Sequence, residues 1–107
     1  MKDRYDVVII GAGPAGIFAA LELTEKNSDI NILIVDKGRT IEHRSCPARI
    51  TGKCANCDPC SIVNGWAGAG AFSDGKLSES PEVGGRITDY IDIGEAKELI
   101  KYADDIY

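Results

Sequence analysis

Three groups of residues have types and spacings suited to chemistry. The first is Gly11-Ala12-Gly13-Pro14-Ala15-Gly16, together with Asp36. That aspartate lies about 20 residues past the last glycine, the spacing of a dinucleotide-binding fingerprint. The second is a cysteine window, Cys46, Cys54, Cys57 and Cys60, in the order C-x7-C-x2-C-x2-C. The third is another glycine-rich string, Gly65-Trp66-Ala67-Gly68-Ala69-Gly70-Ala71-Phe72-Ser73-Asp74-Gly75-Lys76-Leu77.

A Gly-x-Gly-x-x-Gly string carries information only when a strand precedes it, a helix follows it and an acid stands further on. Tyr5 to Ile10 is an apolar, β-branched run that predicts a strand buried on both faces of a parallel sheet. From Pro14 a helix is expected to run to Lys26-Asn27, with Ile17, Ala20, Leu21 and Thr24 on one face. Ile30 to Val35 predicts the second strand, ending at Asp36. In this frame Gly11 permits the tight turn out of the strand and Gly13 lets the backbone approach a pyrophosphate. Gly16 lets helix and strand pack closely. The helix N-terminus attracts phosphate, and the Asp36 carboxylate accepts a hydrogen bond from a ribose hydroxyl. The same carboxylate repels a 2′-phosphate, so FAD or NAD is expected rather than NADP.

The cysteines leave three readings open. Sulfurs spaced by two residues on a loop with Gly52 and Pro59 suit an iron–sulfur cluster or zinc. A redox dithiol, Cys54 with Cys57 or Cys57 with Cys60, is a second reading, and thiols without chemistry a third. The only histidine, His43, reads as a solvated loop residue, as does the basic cluster Lys37, Arg39, His43, Arg44 and Arg49.

In the second glycine-rich string the small residues let backbone N–H groups lie against a flat ring or a phosphate, with Ser73, Asp74 and Lys76 as the polar groups at hand. Lys37 to Ser80 otherwise shows no helical or strand period. Gly84-Gly85 marks a turn and Arg86 to Ile93 has strand-like content. After Gly94 a helix is expected, with Ala96, Leu99, Ile100, Ala103, Ile106 and Tyr107 on its apolar face.

These segments carry a resemblance. The chain resembles the N-terminal part of the FAD-dependent dehydrogenases grouped broadly as NAD(P)/FAD-dependent oxidoreductases, through Val8 to Gly16 with Asp36, the window Cys46 to Cys60, and Gly68 to Leu77. The resemblance implies that Gly11, Gly13, Pro14, Ala15 and Gly16 hold the FAD pyrophosphate. It places Asp36, followed by Lys37, at the adenosine ribose. Gly68, Ala69, Gly70, Phe72, Ser73, Asp74 and Lys76 would approach the ribityl chain or flavin, with Lys76 bringing a positive charge to the reduced ring.

The expected fold class is α/β, a Rossmann-like βαβ start over residues 1–36. A long Cys- and Gly-rich loop over 37–80 and an amphipathic helix over 94–107 complete it. Two strands are fewer than the about six of an open dinucleotide-binding sheet. The last helix places Asp104 and Asp105 at its negative pole with no capping glycine. Both features suggest the first part of a larger domain, inactive as 107 residues alone.

Composition excludes several classes. Hydrophobic residues make up 44% and charged residues 27%, which fits a folded globular chain rather than a disordered one. A net charge of -5 with no basic face argues against nucleic acid. The uncharged stretch Val7 to Leu21 is too short for a membrane span and has no leader cleavage site, so a cytoplasmic protein is expected. No Ser-His-Asp, Cys-His or paired-carboxylate set supports hydrolysis. The expectation is the FAD-binding portion of a soluble flavin-dependent oxidoreductase, NAD being a candidate electron donor and the substrate unread. An NAD-binding unit and a non-enzymatic cysteine or metal-binding module are the alternatives.

Overall fold

A computed structural model of the chain describes residues 2–106. It divides into two compact units, Met1–Ser73 and Asp74–Tyr107.

In the first unit β1 (Val7–Ile10), α1 (Pro14–Lys26) and β2 (Ile32–Val35) form a βαβ start. The strands pair in parallel, Val7 opposite Ile32 through Ile10 opposite Val35. Gly11 continues the ladder into the turn by donating its N–H to the Val35 carbonyl at 2.7 Å. Both strands are shorter than their apolar runs, which begin at Tyr5 and Ile30. Asn31 explains the late start of pairing, because its carbonyl accepts from Asp6 and Val7 while its N–H donates to the Asp6 carboxylate.

The expected burial on both faces is corrected. Val7 and Ile9 are half-buried beneath α1, whereas Val8 and Ile10 on the other face are 55% and 88% exposed. The helix face is also rotated from the expected one. Gly16, Ile17, Ala20 and Leu23 are half-buried, while Leu21 and Thr24 are exposed. A glycine at the helix–strand contact lets α1 sit this close. A Cβ on Gly16 would lie 2.0 Å from the Gly11 carbonyl oxygen and 3.2 Å from the Ile9 side chain.

The segment expected to be loop contains short helical pieces: a 3-10 turn at Ile41–His43, α2 (Ala48–Thr51) and a 3-10 helix at Gly68–Phe72. Gly52, at φ +72°, ends α2 and donates to the Ala48 carbonyl.

In the second unit the strand expected over Arg86 to Ile93 is absent. Ile87–Asp89 forms a 3-10 turn, held by an ion pair between Arg86 and Asp89 at 2.7 Å. α3 (Ile93–Ile106) follows, starting before Gly94 because Asp92 caps it: its carboxylate accepts from the Glu95 N–H at 3.0 Å. Ala96 is fully buried, Ile100 and Ala103 are half-buried, and Leu99 and Ile106 stay about half exposed. Tyr107 lies outside the described residues. At the other end Lys101 pairs with Asp105 at 2.8 Å, and this contact raises the lysine pKa. No helix among the described residues is long and apolar enough to cross a membrane.

The Gly16 contact is with backbone, which cannot rotate away. Gly16→Ala is therefore expected to destabilise the chain by about 3 kcal/mol or more, the upper range of overpacking. Chemical denaturation of the variant checks this, and an unchanged midpoint would contradict the packing described.

Candidate functional site

The end of β2 delivers Asp36 beneath the turn that leaves β1. Its carboxylate accepts three backbone hydrogen bonds: from Ala12 at 2.9 Å, Gly38 at 2.8 Å and Gly65 at 2.8 Å. These donors come from the first glycine turn, the residues just past β2 and the second glycine string, so one side chain gathers three segments. The Ala12, Gly38 and Gly65 N–H groups, with the nearby Arg44 charge, hold its pKa below the ordinary aspartate value against the opposing effect of burial. A carboxylate has about four acceptor positions. With two bonds on Oδ1 and one on Oδ2, it keeps a position for a ligand hydroxyl.

Close packing surrounds this hub. A Cβ on Gly38 would lie 2.2 Å from the Gly65 nitrogen, and one on Gly65 would lie 2.3 Å from the Arg39 carbonyl oxygen. Gly65 also has φ +108°, which a side chain would strain.

Arg44 is the hub's cationic counterpart. Expected as part of a solvated cluster, it is instead 5% exposed. Its Nε donates to the Ser61 carbonyl at 2.9 Å, Nη1 to Trp66 at 2.6 Å and Nη2 to Ile62 at 2.7 Å. The guanidinium carbon stands 4.8 Å from the centre of the Phe72 ring, and that of Arg49 stands 5.1 Å away. The fork of Arg44 thus shapes the loop that carries the second glycine string.

That loop lies on the first one. Ala67, itself at φ 65°, donates to the Ala12 carbonyl at 2.8 Å. A Cβ on Gly68 would lie 3.5 Å from the Gly13 Cα, and one on Gly70 would touch the Pro14 ring at 3.9 Å. The structure therefore brings Gly11, Gly13, Pro14 and Gly16 together with Asp36, Gly68 and Gly70. Ala15 and Ala69 lie in the same turns and are exposed. Phe72 packs with the two arginines, and the Ser73 N–H donates to Gly70. Asp74 and Lys76 belong to the second unit, where they pair with each other at 3.2 Å. Lys37 is exposed beside Asp36.

The expected metal set is not assembled. Among the described residues no group of three or more His, Cys, Asp or Glu side chains comes together to hold a metal ion. All four cysteines are free thiols. The Cys54 sulfur turns to Asn56, accepting from its N–H at 3.4 Å. Cys57 and Cys60 instead line a separate cavity of about 240 Å³ with Arg39 and Asn64. Cys46 leads into α2 through its carbonyl, which accepts from Arg49 at 3.1 Å. His43 is exposed, with its Nδ1 at 2.9 Å from the Thr40 hydroxyl.

The residues fit a dinucleotide. A Cβ on Gly13 would meet nothing within 4 Å. No side chain caps α1, so its first-turn N–H groups are left for an outside anion. A cavity of about 180 Å³ is lined by Ala12, Ile34, Asp36, Arg39, Thr40 and Trp66. That volume suits part of a ligand rather than a whole one, since complete small-molecule sites occupy about 300–1,000 Å³.

Parallel strands, a glycine turn at a helix N-terminus and an acid ending the second strand define a dinucleotide-binding α/β unit. Comparison with known proteins agrees. Residues 5–96 match the pyridine nucleotide-disulphide oxidoreductase family, and the chain belongs to it. An uncharacterized protein of Methanosarcina barkeri is 47% identical over 53 residues, covering 50% of this chain and 13% of that protein. The mitochondrial electron transfer flavoprotein-ubiquinone oxidoreductase of Arabidopsis thaliana is 49% identical over 42 residues, 36% of this chain and 7% of its own. A digeranylgeranylglycerophospholipid reductase of Methanosarcina mazei is 51% identical over 41 residues, 38% of this chain and 10% of its own. The chain thus spans a small fraction of the length of these relatives. No solved structure matches it.

Two outcomes test the hub. Asp36 has a depressed folded pKa, so its stabilisation is fully present above the ordinary aspartate value of about 3.9. It is lost as pH falls through the lower folded value. Urea denaturation across acidic pH should show this loss in the wild type, and Asp36→Asn should be less stable at neutral pH with a flatter acid limb. Matching pH profiles would contradict the assignment. Arg44→Lys should cost about 2–3 kcal/mol, because an ammonium cannot reach three divergent carbonyls and leaves some unpaired. A denaturation midpoint equal to wild type would show that the fork is dispensable.

Proposed function

We propose that the chain supplies the site for the adenosine diphosphate end of FAD in a flavin-dependent oxidoreductase. The observation that carries this reading is the open space at Gly13, beside an uncapped helix N-terminus and within the same unit as Asp36. Family membership supports it, as do the names of two relatives, a flavoprotein oxidoreductase and a reductase.

Each residue then has a role set by its own chemistry. The first-turn N–H groups of α1 face the pyrophosphate, with the helix dipole favouring its charge. Asp36 accepts from a ribose hydroxyl and disfavours a 2′-phosphate, which excludes NADP from this position. Bound FAD supplies the hydride and electron chemistry. Gly68 and Gly70 keep the second loop thin where it crosses Gly13 and Pro14, leaving the approach to the turn open. A cytoplasmic setting and a small-molecule substrate complete the proposal.

Gly13→Ala separates the site from the fold. Gly13 has φ -77° and ψ -178°, a conformation any residue adopts, and its Cβ direction is empty. The variant should keep its denaturation midpoint yet bind FAD at least about tenfold more weakly, a loss of about 1.4 kcal/mol. Equilibrium dialysis of the full natural chain against FAD, NAD and NADP measures this. Failure of the wild type to bind FAD, or a preference for NAD, would overturn the flavin reading.

A further inference from the structure

We infer that Trp66 is the stacking wall for the adenine ring of the bound dinucleotide, a role that rests on the FAD reading above and assigns its base subsite. Trp66 lines the same cavity as Asp36, with Ala12, Ile34, Arg39 and Thr40. It is 44% exposed although it is the only tryptophan among the 107 residues and sits in a segment pinned on every side.

The pinning fixes where the indole stands. Gly65, immediately before it, donates to Asp36 Oδ1 at 2.8 Å, and Ala67, immediately after it, donates to Ala12 at 2.8 Å. The Trp66 N–H donates to the Arg39 carbonyl at 3.2 Å, and its own carbonyl accepts from Arg44 at 2.6 Å. A large aromatic side chain held on a rigid backbone yet left uncovered has surface to offer a ligand. Because Asp36 receives the Gly65 N–H, Trp66 follows by one residue the point at which its loop is held to the ribose acceptor.

The lining decides what kind of contact the base receives. Ala12 and Ile34 are apolar, and the Thr40 hydroxyl is already engaged with His43 Nδ1 at 2.9 Å. Asp36 and Arg39 are the charged residues of the lining, and the indole adds a broad π-face. Stacking on an aromatic ring is tolerant of base identity. The subsite accordingly takes a purine by its flat face and the attached ribose by the Asp36 carboxylate.

The test uses the full chain and three probes: FAD, ADP and FMN, the last lacking adenosine. Trp66→Leu keeps apolar bulk without a ring, and Trp66→Phe restores a ring. Leucine should weaken both ADP and FAD by about tenfold while phenylalanine stays near wild type. FMN affinity should not change. ADP should also quench tryptophan emission in the wild type, and the Trp66→Phe variant should lack that component. Unchanged ADP and FAD affinity in Trp66→Leu overturns the stacking role. ADP binding that depends on Trp66, in a chain that does not bind FAD, overturns the flavin reading and keeps the wall. A wild-type chain that binds neither probe overturns both. Denaturation midpoints of the two variants separate misfolding from lost stacking, because a folded Trp66→Phe chain still reports on the ring.

Discussion

The Asp36 carboxylate is the one interaction on which the rest of the first unit depends. Among the described residues no large side chain is fully buried, and the small apolar core residues are Ala12 and Ala96, one in each unit. Apolar burial therefore does little to fix the path of residues 36–73. Hydrogen bonds to a charged acceptor contribute about 1.5–3 kcal/mol each, and Asp36 receives three, from residues separated by 24, 2 and 29 positions. Two of these partners are far along the chain, so the bonds define a tertiary arrangement as well as a turn.

Arg44 completes that arrangement with the opposite charge. An isolated guanidinium buried this deeply would be costly, but its fork meets three carbonyl oxygens and an aromatic face. The carbonyls belong to the loop whose next N–H groups reach Asp36 and Ala12. Anion and cation thus bind opposite polarities of the same backbone: Asp36 takes the Gly65 N–H and Arg44 the carbonyls of Ser61, Ile62 and Trp66. The outcome is a thin, ordered loop that lies on the glycine turn without filling the ligand side.

How much of this was legible in the sequence depends on the range of the interaction. The βαβ start followed from local signals: two apolar runs, a glycine turn and Pro14 at the first helical position. The limits of β1 and β2 shifted because Asp6 and Asn31 hydrogen-bond across the strand starts. The strand expected near Ile87 failed on a local competitor, since Arg86 pairs with Asp89 and Asp92 caps α3. Asp92-Ile93-Gly94-Glu95 was a readable capping signature in which an acid three residues before Glu95 outweighed Gly94 as a marker of the helix start. Arg44 had no such signature. Its neighbours Arg39, His43 and Arg49 look alike in sequence, and only the distant carbonyls of residues 61, 62 and 66 single it out. The cysteine spacing left three readings open, and among the described residues no three of these side chains gather: the Cys54 sulfur accepts from Asn56, and Cys54 and Cys57 are exposed.

The glycine turn shows where a motif stops being informative and geometry takes over. In sequence Gly13 and Gly16 are two instances of one residue in one fingerprint. In space they are opposites: a methyl group on Gly16 collides with the backbone of Gly11, and one on Gly13 meets nothing. Gly16 is therefore a requirement of the packing, whereas the packing makes no such demand at Gly13. The same distinction separates Gly38 and Gly65, wedged against neighbouring backbone around Asp36, from Gly68, whose missing side chain only lightens a contact with Gly13. Glycines that are crowded from within set the positions of Asp36 and Trp66. Gly13, by contrast, leaves its side-chain direction open. The proposed dinucleotide site thus rests as much on one unfilled direction at Gly13 as on the groups that surround it.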